Sequence, residues 1–234
     1  MDIYVGTSGW LYDWNEGGSI DWYLRYTNLN AVELNASFYR FPYPNQVVGW
    51  SKKMRSIRAI RWAIKVHRSI THLQKLGEKS LNTWSKFYAL FSPMSSYIDF
   101  YLFQMPPNFK KNSSNIEKIV SFVRATNIGE KAAIEFRDPS WFNNETVELC
   151  RQNSITLVSV DSPMGTWITS STNILYLRLH GRTTWYSYEY SLDELREIAS
   201  KIAELKPGKV YVFFNNDHWM LENAKIMLEL LSRL

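Results

Sequence analysis

Apolar residues fall into eight runs of strand length, each ending in a polar cluster: "DIYVGT", "AVELNAS", "RWAIKVH", "DFYLFQMPP", "AAIEFRDP", "TLVSVDSP", "ILYLRLHG" and "KVYVFFNND". Between most of them the apolar positions switch to a spacing of three or four, in "NQVVGWSKKMRSI", "KSLNTWSKFYALF", "NIEKIVSFVRAT", "NETVELCRQN", "LDELREIASKIAEL" and a final "MLENAKIMLELLSRL". That spacing buries one stripe of a helix, whereas short continuous runs suit strands covered on both faces. Strands alternating with helices pair in parallel through right-handed crossovers. Eight such units predict an α/β protein, a single-domain (β/α)8 TIM-like barrel over residues 1–234, with an open doubly wound sheet as the alternative. The connection "SPMGTWITSSTN" has no helical stripe and the first helix, around "SIDWYLRYT", is short, so the barrel is expected to be compact and to lack its sixth crossover helix.

Side chains alternate across a strand, so residues two apart point the same way. The pairs Glu33/Asn35, Lys65/His67, Glu135/Arg137, Arg178/His180 and Asn215/Asp217 therefore each share a face. With Gln104 and Asp161 at the ends of the fourth and sixth strands, and Asn216 in the last cluster, they are expected to converge on the C-terminal mouth, where barrel enzymes carry their chemistry. The alternative is an ion-pair plug closing the barrel core. Seven strand ends built this way favour a site, because branched apolar side chains would close a barrel without the desolvation cost of buried charge.

Composition narrows the classes. Hydrophobic residues make up 45% and charged residues 21% of the chain, which excludes a mostly disordered protein. No basic leader precedes a long apolar segment and no window is long and apolar enough to span a bilayer, so a cytoplasmic protein without a membrane partner is expected. Cys150 is the only cysteine and sits on a helical apolar stripe, which reads as a small buried hydrophobe. Of the 27 Lys and Arg residues, nine fall in residues 51–79 against one acid, Glu78. Lys52, Lys53, Arg55, Arg58 and Arg61 belong at the end of the second helix and the turn after it, on the face away from the mouth. Only Lys65, Arg68, Lys75, Lys110 and Lys111 are placed to extend a phosphate track on the upper face.

The clusters "GTSGW", "ELNASFYR", "KVHRSITH", "FQMPP", "EFRDPSW", "YLRLHG" and "FFNND", in this order over nearly the whole chain, resemble the YecE-like family, domain of unknown function 72. The resemblance implies a TIM-like barrel and supplies no activity. Relatives usually follow the Asn-Asn of the eighth strand with a small Gly- or Ala-rich turn. Here "NNDHWMLENA" is bulky, which singles out Asp217, His218 and Trp219.

The expected mouth joins the cations Lys65, Arg137 and Arg178 and the imidazoles of His67, His72 and His180 to the carboxylates Glu33, Glu135 and Asp161. Competing ammonium and guanidinium groups make a poor metal shell, so no cofactor is expected. The set that a divalent metal would have to use is Glu33, Glu135, Asp161 and His180. Arginines suit bidentate recognition of phosphate, which makes an anionic small molecule or nucleic acid the expected partner, with Arg137 and Arg178 as its holders. Glu135, Glu33, Lys65 and His180 are the candidate catalytic groups: Glu135 or His180 as acid or base, Lys65 also as a Schiff-base nucleophile. Trp10, Tyr39, Trp141 and Trp185 are candidate walls for a flat ligand. The leading expectation is a hydrolase or lyase acting on a phosphate-bearing ligand. The alternatives are a carbohydrate enzyme using Glu33 and Glu135, and a binding module without turnover.

Overall fold

The computed structural model describes residues 1–234. Nine strands form: β1 (Asp2–Thr7), β2 (Ala31–Leu34), β3 (Arg61–Lys65), β4 (Ile98–Gln104), β5 (Ala132–Glu135), β6 (Thr156–Ser162), β7 (Gly165–Trp167), β8 (Ile174–Leu179) and β9 (Lys209–Phe214). Eight pair in parallel around a closed ring, β1-β2-β3-β4-β5-β6-β8-β9, with β9 returning to β1. The short β7 folds back antiparallel onto β6. Seven helices follow strands as predicted: α1 (Ile20–Tyr26), α2 (Pro44–Ser56), α3 (Ser80–Leu90), α4 (Ser113–Thr126), α5 (Asn144–Gln152), α6 (Leu192–Leu205) and α7 (Met220–Ser232). None is long and apolar enough to cross a membrane.

Local chemistry sets the helix starts. Asn112 and Asn143 accept hydrogen bonds from Asn115 N and Thr146 N, and Ser191 with Glu194 caps α6 reciprocally, which satisfies backbone donors that no helix can satisfy itself. Each apolar helix stripe packs on the outer faces of the strands.

The inside of the barrel is filled by size matching. Ala31, Ala63 and Ala133 on β2, β3 and β5 make room for Phe100 on β4, Tyr176 on β8, and Tyr211 and Phe213 on β9. At the lower end Tyr4 stacks on Tyr211, whose hydroxyl donates to Asp99 Oδ2 at 2.7 Å, and Arg61 pairs with Asp99. These contacts close the lower end.

The missing sixth helix has a consequence for the strand it would have covered. Val158 and Val160 of β6 point inward, so Ser159 and Asp161 point outward, and a polar segment lies over them. Ser159 Oγ donates to Thr169 O at 2.6 Å and accepts from Thr169 N at 2.9 Å, while Ser171 Oγ bridges Ile155 O and Leu157 N. Hydroxyls on both sides satisfy the backbone that a helix would have left shielded by apolar contact.

Candidate functional site at the barrel mouth

Directly above the apolar filling, Glu33, Glu135 and Arg178 are fully buried. Arg178 grips Glu33 in bidentate fashion, Nε to Oε2 at 3.0 Å and Nη2 to Oε1 at 2.6 Å, and its Nη1 donates to Glu135 Oε2 at 2.5 Å. Ser8 Oγ and Tyr176 OH also donate to Glu33, at 2.8 and 2.7 Å. Burial alone would raise the Glu135 carboxyl, but Arg137 and Arg178 outweigh it and hold the group well below the usual carboxylate range. Burial likewise opposes charge on Arg178, and Glu135 and Glu33 reverse that and keep it protonated.

Arg137 completes the cluster. Its Nε lies 2.5 Å from Glu135 Oε1 without an N–H aligned on that oxygen, and its guanidinium carbon sits 4.5 Å from the centre of the Trp185 ring. Gly181 makes that cover reachable: its φ of +97° turns the chain back after β8, and a Cβ there would meet Thr184 O and the Tyr188 ring.

His180 Nε2 is 3.1 Å from Arg137 Nη2, a group that can only donate. Its Nδ1 lies 3.2 Å from Asn215 Nδ2, a second donor, and a neutral ring has one accepting nitrogen to offer the two. Burial, with Arg137 and Arg178 adding repulsion, pushes His180 down to about 3, so it stays neutral in ordinary buffers.

This network is charge-balanced, and its chemistry differs from the sequence expectation. Glu135 is not tuned upward for proton transfer, and Arg178 has no face left for a phosphate. The Arg178 guanidinium also occupies the gap between Glu33 and Glu135, leaving no room for the glycosidic bond that two carboxyls of a sugar hydrolase must flank.

A different group of side chains opens beside it. Lys65, at the end of β3, lines a cavity of about 500 Å³ with Phe38, Tyr39, Arg68, His72, Leu73, Gln104 and Tyr186. Its Nζ stands 4.6 Å from the centre of the Phe38 ring. Burial, followed by repulsion from Arg178, lowers Lys65 to about 7 against the opposing pull of Glu135 and Glu33. His72 accepts or donates at Nδ1 with Thr71 Oγ1 at 2.9 Å and packs edge-on to Phe38. Burial, with Lys65 and Arg137, takes it down to about 4.

Asn35 faces the mouth, its amide nitrogen 3.3 Å from Ser8 O. His67 instead plays a structural part, since its Nδ1 accepts from Ser69 N and its Nε2 donates to Tyr39 O, which pins the rim. The expected convergence fails for several residues. Asp161 points away from the barrel axis, where it accepts from Tyr190 OH, Thr166 Oγ1 and Arg182 Nε. Asn216 also faces outward, donating to Tyr188 O and Asn223 Oδ1. Asp217 lies in the turn after β9 beside Asp13 and His218, outside the Lys65 cavity, and His218 Nδ1 meets Asp13 Oδ2 at 2.6 Å.

Trp141 is no ligand platform: it is fully buried, stacked on Phe136, with its indole N–H donating to Phe109 O. Trp10 packs edge-on against Trp50 and Trp62 and belongs to the outer core. The metal set falls apart for the same reasons. Asp161 faces the other way, Arg178 separates the two glutamates, and no three His, Cys, Asp or Glu residues are grouped to hold an ion.

Sequence reasoning missed Ser8, Phe38, Tyr176 and Tyr186. Tyr176 is two residues before Arg178 on the same face, so strand alternation carries that signal. Phe38 and Tyr186 sit on irregular segments with no periodicity to read.

Solved structures share the fold, among them the following three. A DUF72 family protein from Thermotoga maritima is 27% identical, with 99% of this chain and 100% of that one covered and a TM-score of 0.84. A DUF72 family protein from Enterococcus faecalis is 20% identical over 98% of this chain and 95% of that one, with a TM-score of 0.82. SacUVDE, 9% identical over the full length of both chains at a TM-score of 0.62, shows the barrel alone. No curated protein matches the sequence. Residues 4–234 match the pattern of DUF72, described as a protein of unknown function, and the chain belongs to that family.

Proposed function

We propose that the protein is an enzyme, a hydrolase or lyase, that takes a phosphate-bearing ligand into the cavity over Lys65 and exchanges a proton with it there. The observation that carries this reading is the pattern of pairing. The guanidiniums of the network all face carboxylates, whereas Lys65 and Arg68 have no acidic partner within 4.0 Å and no acid lines their cavity. An entering anion would neutralise two uncompensated cations at little desolvation cost to itself. Phe38, Tyr39 and Tyr186 offer flat faces to the rest of the ligand. Lys65 is the group whose protonation can change near neutral pH, unlike Glu135 and His180.

A small ligand fits better than a polymer. Lys111, needed for an upper phosphate track, is engaged by Glu145 and Asn143. Lys52, Lys53 and Arg55 lie at the C-terminal end of α2, and Arg61 starts β3, so all four belong to the lower end.

Calorimetric titration with inorganic phosphate, a nucleoside monophosphate and a single-stranded oligonucleotide tests the reading. Binding of the first two, weakened about tenfold by Arg68→Ala, is the expected result. A steep salt dependence confined to the oligonucleotide would point to nucleic acid instead. No binding, or binding indifferent to Arg68→Ala, would end the proposal.

A further inference from the structure

Lys65 is the one buried cation of the barrel that no carboxylate holds. Of the three Lys and Arg side chains buried in this chain, Arg137 and Arg178 face Glu135 and Glu33, while Lys65, 9% exposed, stands over the face of Phe38 with no carboxylate within 4.0 Å. An ammonium gains little there, since the acids within its field are already committed to guanidiniums. A neutral amine loses nothing, and it opens onto a cavity large enough for a small metabolite.

We infer that Lys65 is a carbon–nitrogen bond-forming nucleophile, which condenses with the carbonyl of a phosphorylated aldehyde or ketone whose phosphate rests on Arg68. The placement of the phosphate depends on the function proposed above; the nucleophile does not. The Lys65 Nζ lone pair attacks the carbonyl carbon, the C=O π pair moves to oxygen, and that oxygen takes up a proton. The carbinolamine then expels the oxygen as water, carrying away the two protons that nitrogen gives up, and a C=N bond remains. His72, neutral and in the same cavity, is positioned to pass the proton. Taking up a proton from solvent, the imine becomes an iminium and draws electrons from the adjacent C–C or C–H bond, which places the reaction among lyases and isomerisations next to a carbonyl. Burial and Arg178 support this use: with Lys65 lowered to about 7, about half the amine is free at neutral pH, against about one part in 2,500 for an ordinary lysine.

Reductive trapping of the full chain tests the inference. Glyceraldehyde 3-phosphate and glyceraldehyde are each incubated near neutral pH with sodium cyanoborohydride, whose hydride fixes an imine as a secondary amine, and adducts are located by peptide mass. Lys52 and Lys86, both exposed, serve as internal references. Labelling of Lys65 at least about tenfold faster than the references, and faster still with the phosphorylated aldehyde, is the expected result. Lys65→Arg, which has no amine, should yield no adduct at that position while Lys52 and Lys86 are still labelled. Labelling of Lys65 no faster than Lys52 and Lys86 would overturn the inference, and if inorganic phosphate still binds, the phosphate reading survives without it. Equal, rapid labelling by both aldehydes would uphold the nucleophile and overturn the assignment of a phosphate to Arg68.

Discussion

Two neighbouring regions at the top of this barrel use the same residue types to opposite ends. In the Glu33–Arg178–Glu135–Arg137 cluster every charge has its complement, and the shifts of Glu135 and Arg178 both favour the charged form. No acid lines the cavity of Lys65 and Arg68, and burial favours the neutral amine. Charge inside a barrel is therefore no index of reactivity. Paired charge fixes geometry, and unpaired charge is what a ligand or a proton can change.

The contrast is put under most strain by removing one cation from each region. Arg178→Ala should cost about 3–5 kcal/mol in urea unfolding, because Glu33 is left buried with no cation and Glu135 keeps only Arg137. Lys65→Met should stay within about 1 kcal/mol of the parent at pH 7, since it replaces an uncompensated buried amine by an apolar chain of similar length. Equal losses would mean that Lys65 is as firmly paired as Arg178. Trp141→Ala should match the arginine in cost, about 3–5 kcal/mol, yet leave phosphate affinity of the folded protein unchanged, as befits a core ring.

The pH dependence bears on the same point with a smaller effect. A lysine lowered in the folded state binds fewer protons there than in the unfolded chain between its two values. Stability should therefore rise with pH from about 7 toward about 10.4, by at most about 1.4 kcal/mol per unit from this group. The difference between the parent and Lys65→Met isolates it; a flat difference over that window would contradict the account. Smallest of all, Trp185→Leu should cost about 1 kcal/mol by uncovering Arg137, with the Glu33–Arg178 pair intact.

The barrel is legible in the sequence because strand and helix periods differ and the one connection without a helical stripe stands out. The same reading places Glu33, Lys65, Gln104, Glu135, Arg178 and His180 toward the mouth, since their neighbours two residues earlier are the inward-facing layer. It fails at Asp161 because β6 is buried on both faces, so polarity does not reveal which side is inside. The absent helix explains the failure: a polar segment replaces it and pairs with outward hydroxyls and carboxylate. Trp141 is misplaced by sequence reasoning because a ring following a strand can fold back on Phe136, a contact that spacing does not encode. Pairing itself is beyond the reach of strand alternation, as Arg178 meets partners 43 and 145 positions away.

The most direct test is an NMR titration of the lysine ε-carbon in protein labelled with carbon-13 lysine, with Lys65→Arg identifying the signal. A midpoint near 7 for Lys65, with the other lysines near their ordinary range, is predicted. A Lys65 midpoint at or above about 10 would mean that a carboxylate holds this cation after all, and the division of the mouth into locked and free charge would be wrong.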